Sequence, residues 1–315
     1  MGTRLPLAYF YAGEMGKIPG RKEENMIKFG PAGNSDSFRQ KYKSSTAAPG
    51  WLKEMGLQLL EYQCGRGVNL GEETGRAIGR SAQEAGIGMS VHSPYFINLS
   101  SGEAERREKN VGYILQSCQA AHWLGADRVV VHCGGLSKLT REEALQNTFT
   151  GLREILQRME QEGCGDVTLC VETMGKQNVM GTLEEVAAIC QMDERLLPCI
   201  DFGHLNAREQ GSLRCAEDHM KLLEYLISQL GKERMRHFHV HFSHIEYGKG
   251  GEVRHLTFED KEYGPWFDDC AQALLALDLH PRVICESAGT QAEDAFLMQQ
   301  IYQARARGEE PAVRA

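Results

Sequence analysis

The sequence predicts an α/β protein, a (β/α)8 TIM barrel built as one domain. Three observations carry this. Short apolar runs alternate with long amphipathic segments. There are eight such runs, the number that a barrel of parallel strands uses. Most of the helical stretches between them stop at a glycine just before the next run, as helix C-termini do. An open doubly wound sheet would not need eight strands, and no G-x-G-x-x-G follows the first run.

The runs come in order. "IKFGPAG" follows Met26, and "LQLLEYQCG", "IGMSVHSPY", "DRVVVHCGG", "VTLCVETMG", "LPCIDFGHL", "RHFHVHFSH" and "PRVICESAG" follow it. Helices are predicted over "EAERREKNVGYILQSCQAAHWLG", "TREEALQNTFTGLREILQRMEQEG" and "TLEEVAAICQM". "TLEE" and "LTREE" supply N-cap threonines with acids in the first turn. One connection, residues 243–264, reads as a long loop after the seventh strand, and such loops in compact domains are usually functional. Residues 1–25 carry no helical or strand period and are expected to form a poorly ordered extension. The barrel is expected over 26–306, with a polar tail over 307–315 that should fray.

At 315 residues and 42% hydrophobic, the chain can bury one large core. A formal net charge of -8 argues against holding nucleic acid by bulk charge, though not against a local basic groove. No apolar stretch approaches the ~18 residues of a membrane span, and "LPLAYFYAG" is too short to read as a signal peptide. The ten cysteines form no disulfide framework; Cys170, Cys199 and Cys285 sit in strand-like runs as small hydrophobes. A reducing, cytoplasmic setting is expected.

The strand ends carry the functional signal. The third run ends at His92, the fourth at His132, the fifth at Glu172, and the sixth at Asp201 and His204. The seventh ends among His237, His239, His241 and His244; the long connection adds His255, and the eighth run ends at Glu286. Any one of these is an ordinary structural residue. Six consecutive strands that each deliver a His, Asp or Glu to the same barrel rim are not. Carboxylates in apolar runs are costly to bury unpaired, and divalent metals remove that cost. Mixed His and carboxylate ligation suits zinc, manganese or iron. His237, His239 and His241 share a strand face by period two. His241, nearest the strand end, is the favoured ligand and His239 the second choice. His122, His219 and His280 read as structural.

In order and context these residues resemble endonuclease IV, the zinc-dependent apurinic/apyrimidinic endonuclease of the xylose-isomerase-like barrel superfamily. The similarity lies in "HSPYFINL", "VVHCG", "VETMG", "CIDFGH", "HFSH" and "CESAG" and spans roughly residues 27–300. It implies two or three Zn2+ ions, with Mn2+ possible. His92 and His132 would hold one ion, and Asp201, His241 and Glu286 a second, with Glu172 bridging. His204 and His255 would hold a third. Glu172, Glu286 and Asp201 would be the catalytic carboxylates. The implied substrate is abasic duplex DNA, cut 5′ to the lesion to leave a 3′-hydroxyl; no membrane or protein partner is implied. Tyr95 and Phe96 match the side chains that wedge into such a duplex.

The chain also departs from that pattern. The family's Asp two residues before its last His is replaced by Val253, with Glu252 next to it as the substitute ligand and Glu246 as another candidate. The Arg-bearing loop after the second strand is replaced by "YQCGRGVNL", where Arg66 is the one candidate for a duplex contact. Glu172, Asp201, His241 and Glu286 also supply the single-metal set of a xylose-isomerase-like sugar isomerase or epimerase. That alternative leaves four histidines without a role.

Overall fold

The structure, a computed structural model, describes residues 27–315; the extension expected over 1–25 lies outside the described residues. The strands in chain order are β1 (Lys28–Pro31), β2 (Leu59–Gln63), β3 (Gly88–His92), β4 (Arg128–Val131), β5 (Thr168–Glu172), β6 (Leu196–Asp201) and β7 (His239–Phe242). A hairpin of β8 (Ile245–Gly248) and β9 (Gly251–His255) follows, and then β10 (Arg282–Cys285). The helices are α1 (Asp36–Lys41), α2 (Ala48–Glu54), α3 (Glu72–Ala85), α4 (Ala104–Leu124), α5 (Arg141–Gln161) and α6 (Leu183–Gln191). They continue with α7 (Phe202–Arg208), α8 (Ala216–Leu230), α9 (Lys232–Met235), α10 (Phe267–Ala276) and α11 (Gln291–Ala306).

Eight parallel strands run in the order β1-β10-β7-β6-β5-β4-β3-β2. The ring closes where Ala32 bridges Glu61 and the Gly33 amide donates to the Glu61 carbonyl at 2.8 Å. These strands are covered on both faces, which is why they read as apolar runs rather than alternating ones. Their outer faces pack against the helices in the large core, with Val129, Val131, Val171 and Val240 fully buried. Two small clusters plug the barrel interior: Ala32, Leu59 and Ile284 in one, Val130, Cys170 and Cys199 in the other.

Those plugs position the site. A strand returns to the same face every second residue. Two residues beyond Leu59, Val130, Cys170, Cys199 and Ile284 come Glu61, His132, Glu172, Asp201 and Glu286. Each of these side chains therefore stands one step above the apolar plug, toward the C-terminal end where barrels carry their chemistry.

The helix ends follow the sequence. Thr140 and Glu143 cap α5 reciprocally, at 3.2 and 2.8 Å, and Thr182 with Glu185 does the same for α6. Such caps are worth about 1 kcal/mol each. Gly86 and Gly125 end α3 and α4 at φ 73° and 66°, a left-handed turn that side chains resist.

Two expectations change. The connection over 243–264 is not a plain loop, because most of its first half pairs as the β8–β9 hairpin. The tail is polar but its end docks: Ala315 is buried, its carbonyl accepts from the Phe267 amide, and Arg314 pairs with Asp269 at 2.6 Å. All ten cysteines are free and nine are buried. Among the described residues no helix is long and apolar enough to cross a membrane.

Candidate metal centre

Glu172, at the end of β5, is the centre of the arrangement. Its Oε2 lies 3.1 Å from His92 Nε2 and 2.9 Å from His132 Nε2. Its Oε1 lies 3.3 Å from His241 Nδ1 and 3.4 Å from His204 Nδ1. One carboxylate thus meets four imidazoles, two on each oxygen. Its side chain is 1% exposed. Burial alone would favour the neutral acid, but the His132 and His241 rings beside it hold the carboxyl well below its ordinary range. Burial works against a charge on His92 as well, and the contact with Glu172 outweighs it, raising the ring to about 9.

Asp201 behaves differently. Its Oδ1 accepts from the His204 amide at 2.7 Å, which caps α7 and fixes the "DFGH" turn. Its Oδ2 is buried and accepts no hydrogen bond, though His204 Nδ1 approaches to 3.3 Å. Burial pushes this carboxyl up. A buried oxygen without a donor is a fault in a core but a vacant ligand atom beside a cation. Asp201 joins Glu172, His241 and Glu286 in one set whose donor atoms all lie within 4.8 Å of one another. His92, Glu172 and His241 form a second such set, and His204, Glu252 and His255 a third. Nitrogen and carboxylate donors in these groupings fit a zinc- or manganese-type ion.

The third set depends on the hairpin. Ile245 faces His255 and Glu246 faces Arg254, but Tyr247 faces Glu252, so Val253 has no opposite residue. This bulge reverses the alternation, which would otherwise aim Glu252 away from His255. Val253 is 56% exposed, while Glu252 Oε2 reaches to 3.5 Å from His204 Nε2. Glu246 instead pairs with Arg254 at 2.6 Å. The hairpin is docked on the loop after β5, where the Glu252 amide donates to the Gly175 carbonyl at 3.1 Å. Buried Arg208 of α7 holds that loop from beneath through the Met174 and Lys176 carbonyls, at 3.1 and 2.6 Å.

His92, His132, Glu172, His204, Glu252, His255 and Glu286 line a cleft of about 460 Å³ together with Gln63, Tyr95, Phe96 and Lys176. Tyr95 and Phe96 stand at its edge, 53% and 40% exposed. Arg66 Nε donates to the Tyr95 hydroxyl at 3.2 Å. Of the seventh-strand histidines, His241 reaches the centre, and His239 lies one step deeper against Glu61 at 3.0 Å. His237 turns to the His280 carbonyl, and His244 is buried between Phe258 and Trp266. His122 pairs with Asp166, and His219 contacts the Cys215 carbonyl; neither is near the cleft.

Glu61 escaped the sequence reading. Its signal was present in "LQLLEYQCG", a charged residue inside an apolar run, but no histidine marked that strand's end.

A family model described as the xylose isomerase-like TIM barrel matches residues 49–303. The chain belongs to this family. Among its relatives is an uncharacterized protein of Methanocaldococcus jannaschii, 31% identical over 275 residues, covering 87% of this chain and 97% of that protein. A probable endonuclease 4 of Acholeplasma laidlawii is 28% identical over 187 residues, 52% of this chain and 63% of the relative. Among solved structures, a D-tagatose 3-epimerase-like protein superposes with a TM-score of 0.69 at 21% identity, over 90% of this chain and 99% of that one. At that identity the likeness speaks for the fold.

Proposed function

We propose that this chain is a metal-dependent phosphodiesterase that incises duplex DNA 5′ to an abasic site. The observation that supports this best is the bridging position of Glu172, with His92 and His132 on one oxygen and His241 and His204 on the other. A carboxylate shared this way suits two adjacent ions, whereas a single-metal sugar site has no use for His92, His132, His204 and His255 together. Two or three zinc ions held there, or manganese in their place, would offset charge on both the attacking and the leaving oxygen of an in-line displacement.

The protein's own groups divide the remaining work. Glu172 spans the two subsites, Asp201 offers Oδ2, which accepts no hydrogen bond, and Glu286 with His241 completes the inner set. His204, Glu252 and His255 form the outer one. Tyr95 and Phe96, at the cleft edge, fill the gap left by a missing base, and Arg66 steadies the Tyr95 hydroxyl. With a net charge of -8, phosphate contact is local, through Arg66 and Lys176 beside the cleft.

A second reading has its own support. Glu172, Asp201, His241 and Glu286 are by themselves a complete compact set. With one divalent ion they would serve a sugar isomerase or epimerase, the activity in the names of several similar solved structures. One experiment separates the two. A duplex with a single tetrahydrofuran abasic site is incubated with Zn2+ or Mn2+, beside a panel of ketoses. The nuclease reading expects incision 5′ to the lesion that vanishes in Glu172→Gln, with binding that falls steeply as salt rises. Sugar interconversion without incision under any metal assigns the site to the epimerase.

A further inference from the structure

We propose that Glu61 is a positioning residue that holds His241 from inside the barrel, so that the ring's other nitrogen faces the metal centre. This rests on the metal-centre reading of the cleft.

Glu61 is fully buried in β2. A carboxylate at such a depth needs partners, and among the described residues its only ion-pair partners are two imidazoles. Oε2 accepts from the Ser90 hydroxyl at 2.8 Å and contacts His239 Nε2 at 3.0 Å. Oε1 accepts from Gln63 Nε2 at 3.1 Å and lies 2.9 Å from His241 Nε2. Apart from His241, these partners are Gln63 of β2 itself, Ser90 of the neighbouring β3 and His239 of β7, so Glu61 is already tied across the barrel through His239.

His241 then spans two layers. Its Nε2 edge meets Glu61, while its Nδ1 edge lies 3.3 Å from Glu172 Oε1 and 3.6 Å from Glu286 Oε1. Neutral imidazole carries one ring proton. The Nε2 approach is a close charge contact without hydrogen-bond alignment, and the metal-free ring makes its hydrogen bond through Nδ1 to Glu172. Once an ion replaces that bond, the Glu61 charge favours the ring proton on Nε2 and leaves Nδ1 as the lone-pair donor toward the ligand set. A ring turned over would lose both contacts. Carboxylates behind ligating histidines act in this way, and removing one typically costs about 10–100-fold in metal affinity. His239 is thereby an anchor of Glu61, one layer below the centre, and not a ligand of it.

The test uses the full chain, stripped with chelator and titrated with Zn2+ and with Co2+. Glu61→Gln keeps the shape and removes the charge. The expected result is about a 10–100-fold loss of affinity at unchanged stoichiometry, with a shifted Co2+ visible spectrum. Wild-type affinity and spectrum in a folded Glu61→Gln protein overturn the proposal, as does a lowered melting temperature of the metal-free protein with no change in either. If Glu61→Gln does not fold, Ser90→Ala, which loosens the same carboxylate, must show a smaller loss of affinity; no loss overturns the proposal. If wild-type protein binds no metal, the metal-centre reading itself fails and this inference falls with it, whereas binding by both proteins alike removes this inference alone.

Discussion

The floor of the candidate centre and its rim are held by different kinds of structure. Glu61, Glu172, Asp201, His239 and His241 stand on barrel strands and are at most 1% exposed. His132, Glu252 and His255 stand just beyond strands or on the hairpin, with side chains 13%, 13% and 26% exposed. Strand register and period two leave the floor no freedom, because a one-residue slip would turn each group out of the barrel. The hairpin part of the rim, Glu252 and His255, depends instead on a bulge and on backbone contacts between the hairpin and the loop after β5, Glu252 to Gly175 and Gln177 to Gly250 among them. The floor should therefore behave as a unit, and the rim should be separable from it.

The hardest blow to that division is Glu172→Gln, which removes the one group shared by floor and rim. Activity should fall by more than the ~100-fold typical of changes behind a ligand, and metal content should drop by more than one equivalent. Elemental analysis beside the incision assay checks both; loss of only one equivalent would make the two halves independent of Glu172.

His255→Ala and Glu252→Ala should each remove the same single equivalent and leave the floor's metal in place. Gly175→Ala sharpens this, because a Cβ there would come within 2.6 Å of the Glu252 Cβ and push the hairpin off. It should reproduce the Glu252→Ala stoichiometry without touching any ligand. Full metal content in all three variants would mean that the rim holds no ion.

Metal uptake should release protons. With burial opposed and outweighed by Glu172, His92 in the metal-free protein titrates near 9, so it is largely protonated at neutral pH. A ligating imidazole must be neutral. Apparent affinity should therefore rise with pH up to about 9, by about tenfold per unit for each proton displaced. Calorimetric titration in two buffers of different ionisation enthalpy counts those protons, and a count of zero at pH 7 contradicts the arrangement.

The smallest effect on the centre belongs to the edge aromatics. Tyr95→Ala and Phe96→Ala should leave metal content unchanged while weakening abasic DNA binding, at about 1–3 kcal/mol per lost stacking contact. Wild-type binding of abasic DNA in both variants would show that these rings only shape the cleft.

The barrel was legible in the sequence because its eight apolar runs are buried on both faces and punctuated by glycine-ended helices. The cluster at the strand ends was legible for a related reason: Glu172, Asp201 and Glu286 each interrupt an apolar run where an unpaired charge would be costly, and the barrel brings them together. His241 could be preferred over His237 and His239 from position along the strand alone, since depth follows residue number at about 3.3 Å per residue. Which residues meet could not be read this way. Glu61 carries the same sign as the other carboxylates, yet its partner His239 lies 178 positions away and only barrel closure brings them together. Val253 and Glu252 show the other limit. Counting residues back from His255 selects Val253, whereas the bulge opposite Glu246 and Tyr247 turns Glu252 inward. Sequence by itself determined the strands, their inward faces and the kind of chemistry at their ends, because those follow from local period and from the cost of burying charge. Tertiary structure decided the pairings, since register across the barrel and a single unpaired residue in a hairpin depend on contacts between segments distant in the chain.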